Sequence, residues 1–402
     1  MAVGRGAEAR RGACFRSRDG DDDLGMTGTA TAKVRRRRME NEKAPATARS
    51  SGGKRRRRGT DRFDTLPDEL VLSILCKLAA SAGLPSDFIN VLLTCKRLKE
   101  LGLSPQVLST ASAKTFAVKA KNWSNSADRF LKLCADSGNV EASYTLGMIH
   151  FYCLQNRRGG ASLMAKAAIG SHARALYSLA VIQFNGSGRS KNDKDLRAGV
   201  TLCSRAAFRG HIDAMRELGH CLQDGYGVCQ DVTRGRRLLV HANARELAAA
   251  ANAMVSSRSW ISSSWANDYR RHGARTGVTT EYPLLSDYGY NVPALEAHTV
   301  NRFMTEWFAA RDGSPGPGLR LCSHGGCGRP ETRRNEFRRC SVCGTVNYCS
   351  RACQALDWKL RHKEECVVVA AAGMGVGEGG AHGVENDDRA GDGDRQMMMV
   401  YS

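Results

Sequence analysis

Apolar residues first recur at helical spacing within residues 61–112. One helical face, beginning near Pro67, collects five of them: Leu70, Val71, Ile74, Leu75 and Leu78. Proline is tolerated at the first position of a helix, and Asp68 and Glu69 suit the positive end of the helix dipole. A second amphipathic segment follows at 87–98. The pattern predicts a small helical module.

Residues 123–250 carry an internal repeat. Three segments share a turn glycine and a small residue at the same helical position, and the marker alanines Ala142, Ala175 and Ala214 stand 33 and 39 residues apart. Each unit is predicted to form two helices joined by a glycine-rich turn. Small residues at fixed positions would let the paired helices approach closely. An irregular helical domain is the alternative.

Residues 251–319 alternate polar residues with large aromatics and are predicted to be a connector. A short helix is expected within 292–310, carrying Phe303, Trp307 and Phe308. These aromatics could cap the repeat array or form a docking site. We favour capping, because a terminal repeat must cover an exposed apolar face. A Gly- and Pro-rich linker ends the segment.

The composition shows that both ends of the chain are highly charged. The chain has 402 residues, enough for two or three domains, and a net charge of +20. Half of that charge lies in residues 1–60, a basic arm with too few apolar residues to fold, which is predicted to be disordered. The Gly-rich tail at 367–402 contains six acidic and two basic residues and is also predicted to be disordered.

Two runs of basic residues stand out in the arm, at 33–38 and 54–58. Such runs suit the acidic groove of a nuclear import receptor, or nucleic-acid phosphates. We favour the import receptor, which predicts a nuclear protein with the cytoplasm as a second location. No aromatic residues are interleaved with the arginines, so direct binding to nucleic acid is not expected. A tail that is merely solvated is the remaining alternative.

Neither secretion nor a membrane span is expected. The basic N-terminus is not followed by an apolar stretch of signal-peptide length, and no run of about 18 apolar residues occurs. Without a secretory route the 15 cysteines should be reduced, which favours metal binding over disulfides. Eight of them are scattered along the chain, mostly within helical patterns, and are expected to be small buried hydrophobes.

The other seven cysteines and one histidine fall within residues 320–366. They are the candidate zinc ligands: Cys322, Cys327, Cys340, Cys343, Cys349, Cys353, His362 and Cys366. Eight ligands suffice for two closed tetrahedral sites, with no position left for a catalytic water. Ser350 is a natural N-cap for a helix that carries or adjoins the last four ligands. If that helix is unbroken, Cys353 and His362 point in opposite directions, so these four ligands divide between two zinc ions. Which earlier cysteines join each pair is left open by the spacing.

The segment Leu66-Pro67-Asp68-Glu69-Leu70, followed by Ile74-Leu75 and later by Cys95-Lys96-Arg97-Leu98, resembles an F-box. The resemblance implies docking onto the Skp adaptor of a cullin–RING ubiquitin ligase. The residues implied to contact the adaptor are Leu66, Pro67, Leu70, Ile74 and Leu75. A generic helical hairpin is the alternative.

The repeated units resemble the Sel-like repeat, a relative of the tetratricopeptide hairpin. The resemblance implies an α-solenoid, and such arrays usually offer a concave surface to another protein. Nothing in the repeats identifies that protein.

The cysteine spacing, together with Tyr348 before Cys349, resembles the MYND zinc finger. The resemblance implies an interleaved arrangement of ligands. One zinc is then held by Cys322, Cys327, Cys349 and Cys353, and the second by Cys340, Cys343, His362 and Cys366. It also implies that Gln354 and Trp358 contact a proline-containing peptide, although Trp358 could instead pack between the metal sites.

The order of these modules resembles a group of plant F-box proteins, over roughly residues 63–366. The predicted fold class is all-α: an F-box helical module, an α-solenoid, a small cross-braced two-zinc finger and disordered termini. The resemblance implies a non-enzymatic substrate receptor of an SCF-type ubiquitin ligase, with the Skp adaptor, the cullin–RING ligase and an unknown protein substrate as partners. The alternatives are a nuclear MYND scaffold or transcriptional co-regulator that binds proline-containing peptides, and a MYND-containing lysine methyltransferase, which the helical flanks disfavour.

Overall fold

The computed structural model describes residues 65–256, 283–285, 287–289, 292, 295–311 and 313–367. Within these ranges the regular structure is helical except for one two-stranded antiparallel ribbon. The all-α prediction is therefore confirmed. The basic arm and nearly all of the acidic tail lie outside the described residues. No helix in the described part of the chain is long and apolar enough to cross a membrane.

The N-terminal module consists of four helices: α1 Asp68–Ser81, α2 Pro85–Leu92, α3 Lys96–Gly102 and α4 Pro105–Thr110. The apolar residues of α1 do not share one environment as the pattern predicted. Val71 and Leu75 are buried, whereas Leu70 and Ile74 are 53% and 45% exposed. These residues are three and four apart, so they lie along two adjacent strips of the helix. One strip forms the core and the other faces solvent.

The module continues into the repeats without a break in packing. Its core includes Leu131 and Leu146 of the first repeat. The Asn139 side-chain amide donates to the carbonyl oxygens of Leu108 and Ala111, at 2.9 and 2.8 Å. These bonds satisfy the carbonyls left without intrahelical partners at the end of α4.

The repeat array contains three antiparallel hairpins and a long final helix. Its helices are α5 Asn125–Asp136, α6 Val140–Met148, α7 Arg157–Ile169, α8 Ala173–Asn185, α9 Leu196–Phe208, α10 Ile212–Asp224 and α11 Val232–Ser256. The predicted Sel-like array is confirmed. Helix α6 ends in a π-helical turn at Ile149–Cys153.

Each hairpin begins its second helix in the same way. The side chains of Asn139, His172 and His211 are the N-caps, and each accepts a hydrogen bond from the backbone amide three residues later, at 2.9 to 3.3 Å. The paired helices meet at glycines: a Cβ atom on Gly160 would lie 2.6 Å from the carbonyl oxygen of Gly147. Conserving this close approach therefore requires glycine rather than a larger residue.

The connector returns to the beginning of the array. Helix α12 spans Thr299–Ala309, which is shorter than the predicted 292–310. The ring of Phe303 lies edge-on to that of Trp123, with centroids 5.3 Å apart, and the Glu306 carboxylate accepts a hydrogen bond from the Ala120 amide at 3.0 Å. The connector helix α12, which was expected to cap the repeat array, therefore packs beside the start of the first hairpin.

Candidate metal centres

A β-ribbon and a short helix position the C-terminal ligands. Strands β1 Arg338–Arg339 and β2 Asn347–Tyr348 pair antiparallel, and helix α13 follows at Arg351–Asp357. The Ser350 hydroxyl accepts a hydrogen bond from the Cys353 amide at 3.1 Å, which confirms the predicted N-cap.

The helical stretch that carries Cys353 and His362 is not one unbroken α-helix, which the inference from ligand spacing required. It widens into a π-helical turn at Trp358–His362 and ends in α14, Lys363–Glu365. The extra residue in that turn rotates the later ligands relative to the earlier ones. The two ligand pairs nevertheless belong to different clusters.

All eight predicted ligands gather in two groups. Cys322, Cys327, Cys349 and Cys353 form the first centre, and Cys340, Cys343, His362 and Cys366 form the second. Within each centre the ligand atoms lie within 4.8 Å of one another. This is the interleaved arrangement that the MYND resemblance implied: each centre takes one ligand pair from the N-terminal part and one from the C-terminal part of the finger.

The donor spacing fits tetrahedral zinc. Zn–S bonds of about 2.3 Å place two thiolates of a tetrahedron about 3.8 Å apart. The Cys349 sulfur lies 3.6 Å from those of Cys327 and Cys353 in the first centre. In the second, the Cys340 and Cys366 sulfurs are 3.9 Å apart, and His362 Nε2 lies 3.5 Å from the Cys343 sulfur. Four protein donors thus complete the coordination of each centre.

Arg329 compensates the negative charge of the first centre. Its Nη1 lies 3.9 Å from the Cys349 sulfur, and Nη2 donates to the Ser178 hydroxyl at 2.7 Å. Burial by itself lowers the pKa of this guanidinium, but the Cys327 and Cys349 sulfurs raise it well above its usual value. Arg329 therefore stays charged beside the thiolates, a role that the sequence did not reveal.

The second centre has a thiol that ionises readily. Burial raises the pKa of Cys343, but hydrogen bonds from the Thr345 hydroxyl and backbone outweigh it and bring that pKa to about 7. The Thr345 oxygen is 3.0 Å from the sulfur. Since zinc binds the thiolate, this hydrogen bond favours metal binding near neutral pH.

The predicted adaptor contacts divide into two environments. Leu70 and Ile74 are exposed, Pro67 is exposed and Leu66 is half-buried. Leu75 is only 2% exposed and lies in the core with Val71. The side chain of Leu75 therefore packs inside the module, away from the surface where an adaptor would bind. Adaptor contact at the other four residues stays a prediction.

Arg97 supports this surface from α3. Its Nε donates to the Asp68 carboxylate at 2.9 Å, and Nη2 donates to the Leu66 carbonyl oxygen. The guanidinium therefore holds the segment before α1 against the module. In the sequence Arg97 is only one residue of the Cys95–Leu98 motif, because a contact across 29 residues has no local signal.

The predicted peptide contacts, Gln354 and Trp358, are both half-buried on the finger. The ring of Trp358 lies 5.8 Å from that of His362, a candidate metal ligand, and 6.0 Å from that of Tyr288. Trp358 thus packs against the second centre, while part of it remains accessible, and its contact with a proline-containing peptide stays a prediction.

The finger packs against the second helices of the repeat hairpins. The Tyr177 hydroxyl of α8 donates to Ser350 at 3.1 Å, and the Asn185 side chain donates to the Cys349 carbonyl at 2.8 Å. Buried residues of the first centre belong to the same apolar cluster as those of α8 and α10. The finger and the array therefore share one core.

Charged residues complete this interface. Glu246 of α11 accepts hydrogen bonds from Arg216 and Lys359, all three being buried, and Arg351 pairs with Asp224. Burial, together with the neighbouring Arg216, lowers the pKa of Lys359 to about 8 against the attraction of Glu246. Charged residues at helix positions that otherwise look buried, such as Arg216 on α10 and Glu246 on α11, could have indicated this interface in the sequence, since buried charges need partners.

The docked finger changes the expectation for the repeats. The concave side of an array usually receives another protein, but here the contacts on α8 and α10 are made by the chain's own finger. A partner of the repeats must therefore use another part of their surface or displace the finger.

Two family models match parts of the chain. Residues 113–217 match the family model of plant tetratrico peptide repeats, and residues 322–366 match the MYND finger. A solved Sel1 repeat protein from Oxalobacter formigenes is 27% identical, over 29% of this chain and 86% of its own, with a TM-score of 0.26.

Two relatives from Arabidopsis thaliana match most of the chain. The F-box protein At1g67340 is 64% identical over 346 residues, covering 85% of this chain and 89% of its own. The F-box protein At5g50450 is 59% identical over 337 residues, covering 83% and 94%. The chain belongs to the family of plant F-box proteins that combine tetratricopeptide-like repeats with a C-terminal MYND finger.

Proposed function

We propose that this chain is a non-enzymatic substrate receptor of an SCF-type ubiquitin ligase. Its N-terminal module binds the Skp adaptor, and the fused repeat–finger body binds the protein to be ubiquitinated. Ubiquitin transfer takes place on other subunits, so the chain needs no nucleophile. The observation that carries the proposal is the exposed pair Leu70 and Ile74 on α1, in a chain that is similar over most of its length to two F-box proteins.

The exposed pair suits a protein interface. Two neighbouring aliphatic side chains that face water gain free energy when a partner covers them. The helix that presents them is held rigidly by Val71 and Leu75 below and by Arg97 at its start. A rigid apolar ridge loses little conformational entropy on binding.

The test measures adaptor binding with surface variants. The full chain is titrated with purified Skp adaptor, and Leu70→Glu with Ile74→Glu is expected to weaken binding at least about 100-fold, because two buried apolar contacts are replaced by charges. Ile169→Glu with Phe208→Glu is the matched control, since it places the same charges on exposed apolar positions of the repeats. Wild-type protein that fails to bind the adaptor contradicts the proposal and leaves the MYND scaffold as the better account.

We further propose that both centres hold zinc. The zinc is structural, because four protein donors close each site. Elemental analysis of purified protein should give two zinc ions per chain. A single zinc would contradict the assignment of one of the two centres.

Nuclear import through the basic arm is part of the same proposal. The two runs at 33–38 and 54–58 carry ten Lys and Arg residues, a charge that an import receptor can bind. Replacing either run with alanine, and both together, in a fluorescently tagged chain should reduce nuclear accumulation. Unchanged nuclear signal in the double variant would contradict import through the arm.

A further inference from the structure

Two large apolar side chains project from the repeat array with almost no cover. Ile169 and Phe208 are 82% and 90% exposed. Each is the last residue of the first helix in its hairpin, α7 and α9, so the two occupy equivalent positions in consecutive repeats. The hydrogen bonds that the finger makes to α8 and α10 involve neither side chain. We call this surface, with the arginines described next, the apolar–basic edge.

Three arginines flank these side chains: Arg205, Arg209 and Arg245. The first two are exposed at the end of α9. The guanidinium of Arg245 lies beside the turn that follows Phe208, since a Cβ atom on Gly210 would be 2.7 Å from its Nη1. None of the three pairs with a carboxylate within the described residues. The edge therefore offers apolar area inside an uncompensated positive field, which favours an acidic occupant with apolar side chains.

A cavity between the two repeats completes the edge. It has a volume of about 330 Å³ and is lined by Ser171, Leu176, Ser204, Arg205, Phe208 and Arg209. Arg209 spans it, donating a hydrogen bond to the Ser171 hydroxyl at 2.8 Å. Its size and mixed lining suit one or two apolar side chains whose neighbours carry negative charge.

We propose that the chain's own C-terminal segment, residues 385–402, binds the apolar–basic edge. This segment has the complementary chemistry. Five acidic residues, Glu385, Asp387, Asp388, Asp392 and Asp394, outnumber two arginines and are followed by three methionines, a valine and Tyr401. The acidic part pairs with the arginines, and the methionines and Tyr401 cover Ile169 and Phe208. Methionine is well suited to such a surface because its flexible side chain adapts to an irregular cavity.

The connecting chain is long enough for this arrangement. The last described residue is Val367, and 17 residues separate it from Glu385. An extended chain of that length spans about 60 Å, more than the diameter of about 50 Å of a compact domain of about 300 residues. Because the segment is tethered, its effective concentration at the edge is high, so that even weak intrinsic affinity suffices.

The experiment supplies the segment in trans. A chain truncated after residue 384 is titrated with a fluorescent peptide of residues 385–402, and binding is followed by anisotropy. We expect saturable binding that weakens as salt rises from about 0.05 M to about 0.3 M. Ile169→Ser with Phe208→Ser, and separately Arg205→Glu with Arg209→Glu, should each weaken binding about tenfold or more. In the untruncated chain, hydrogen exchange of residues 204–210 should be slower than in the truncated one.

The control is Leu84→Ser with Leu93→Ser, which alters two exposed leucines of the N-terminal module instead. It should bind the peptide like the truncated parent, and circular dichroism should show that every variant keeps its helices. Absence of peptide binding at low salt, or binding that the Phe208 and arginine variants leave unchanged, overturns the proposal. So does a dimer that forms through Phe208 after truncation, since a second copy would then be the occupant. Adaptor binding is measured on α1, so its outcome is separable from this one.

Discussion

His211 caps a helix, stacks on an aromatic ring and has a strongly shifted pKa. Its Nδ1 accepts a hydrogen bond from the Ala214 amide, and its ring stacks on Tyr177 with centroids 4.8 Å apart. Burial, together with nearby arginines, lowers the pKa of His211 to about 4 despite the attraction of Asp213. The neutral ring is required for the cap, because a protonated Nδ1 cannot accept a hydrogen bond.

The depressed pKa predicts a pH dependence of stability. An unfolded histidine has a pKa of about 6.5, so between pH 6.5 and 4 the unfolded state binds the proton and folding loses stability as pH falls. His211→Asn keeps a capping side chain, like Asn139 in the first hairpin, but does not titrate. Between pH 7 and 5 the variant should lose about 1–2 kcal/mol less stability than wild type, as measured by urea unfolding.

The exposed His241 supplies the control for that measurement. His241→Asn leaves the buried cap untouched, so its unfolding free energy should follow the wild-type pH profile. Parallel profiles for wild type and His211→Asn would contradict the assignment of the pH effect to this cap. At pH 7 the variant should be somewhat less stable than wild type, because it loses the stacking on Tyr177.

Helix α1 performs two tasks on adjacent strips of its surface. Val71, Leu75 and Ala79 fill the core of the N-terminal module, while Leu70 and Ile74 remain exposed. A periodic pattern identifies the helix but counts all these residues as one apolar face. The packing of α3 and α4 against α1 decides which residues are covered.

Single truncations should separate these two tasks. Leu75→Ala is expected to destabilise the chain by about 2–4 kcal/mol, because it leaves a cavity in the core. Ile74→Ala should change stability by less than about 0.5 kcal/mol but should weaken adaptor binding. Urea unfolding and adaptor titration of both variants provide the measurement. Equal destabilisation by the two changes would contradict the division of α1 into a core strip and a binding strip.

At the scale of the whole molecule, the finger is a structural part of the repeat array. Tyr348, Cys349 and Ala352 share an apolar cluster with residues of α8 and α10. A buried ion pair joins Lys359 to Glu246, and a more exposed one joins Arg351 to Asp224. If a finger of this kind unfolds without metal, these partners on the array lose their cover and their compensating charge.

Zinc removal should therefore destabilise the repeats as well as the finger. Cys353→Ser, or a strong chelator, is expected to lower the melting temperature of the helical signal by on the order of 10 °C, and added zinc should restore the chelated protein. Circular dichroism measures this directly, since the helices of the array dominate the signal. Cys229→Ser is the matched control, because that cysteine is exposed and outside both centres. If zinc removal leaves the melting curve of the helical signal unchanged, the finger and the repeat array unfold independently.

Much of the fold was predictable because its signals are local. The N-cap at Ser350 and the repeats depend on residues close together in the chain, and both were confirmed. The eight candidate metal ligands also gather in the two groups that were predicted. The scattered cysteines were predicted less well: Cys134, Cys203 and Cys221 are buried, but Cys95 and Cys229 are exposed. Helical spacing places a cysteine on a face without saying whether another element covers that face.

By itself, the sequence determined which elements form and which atoms can bind metal, because caps, periodicity and donor chemistry act within a few residues. Only the tertiary structure decided that Leu75 is core while Ile74 is surface, and that the finger packs against α8 and α10. The contact between Tyr177 and Ser350 joins residues 173 positions apart. Such contacts depend on which surfaces are complementary in three dimensions, and no local pattern in the chain records that complementarity.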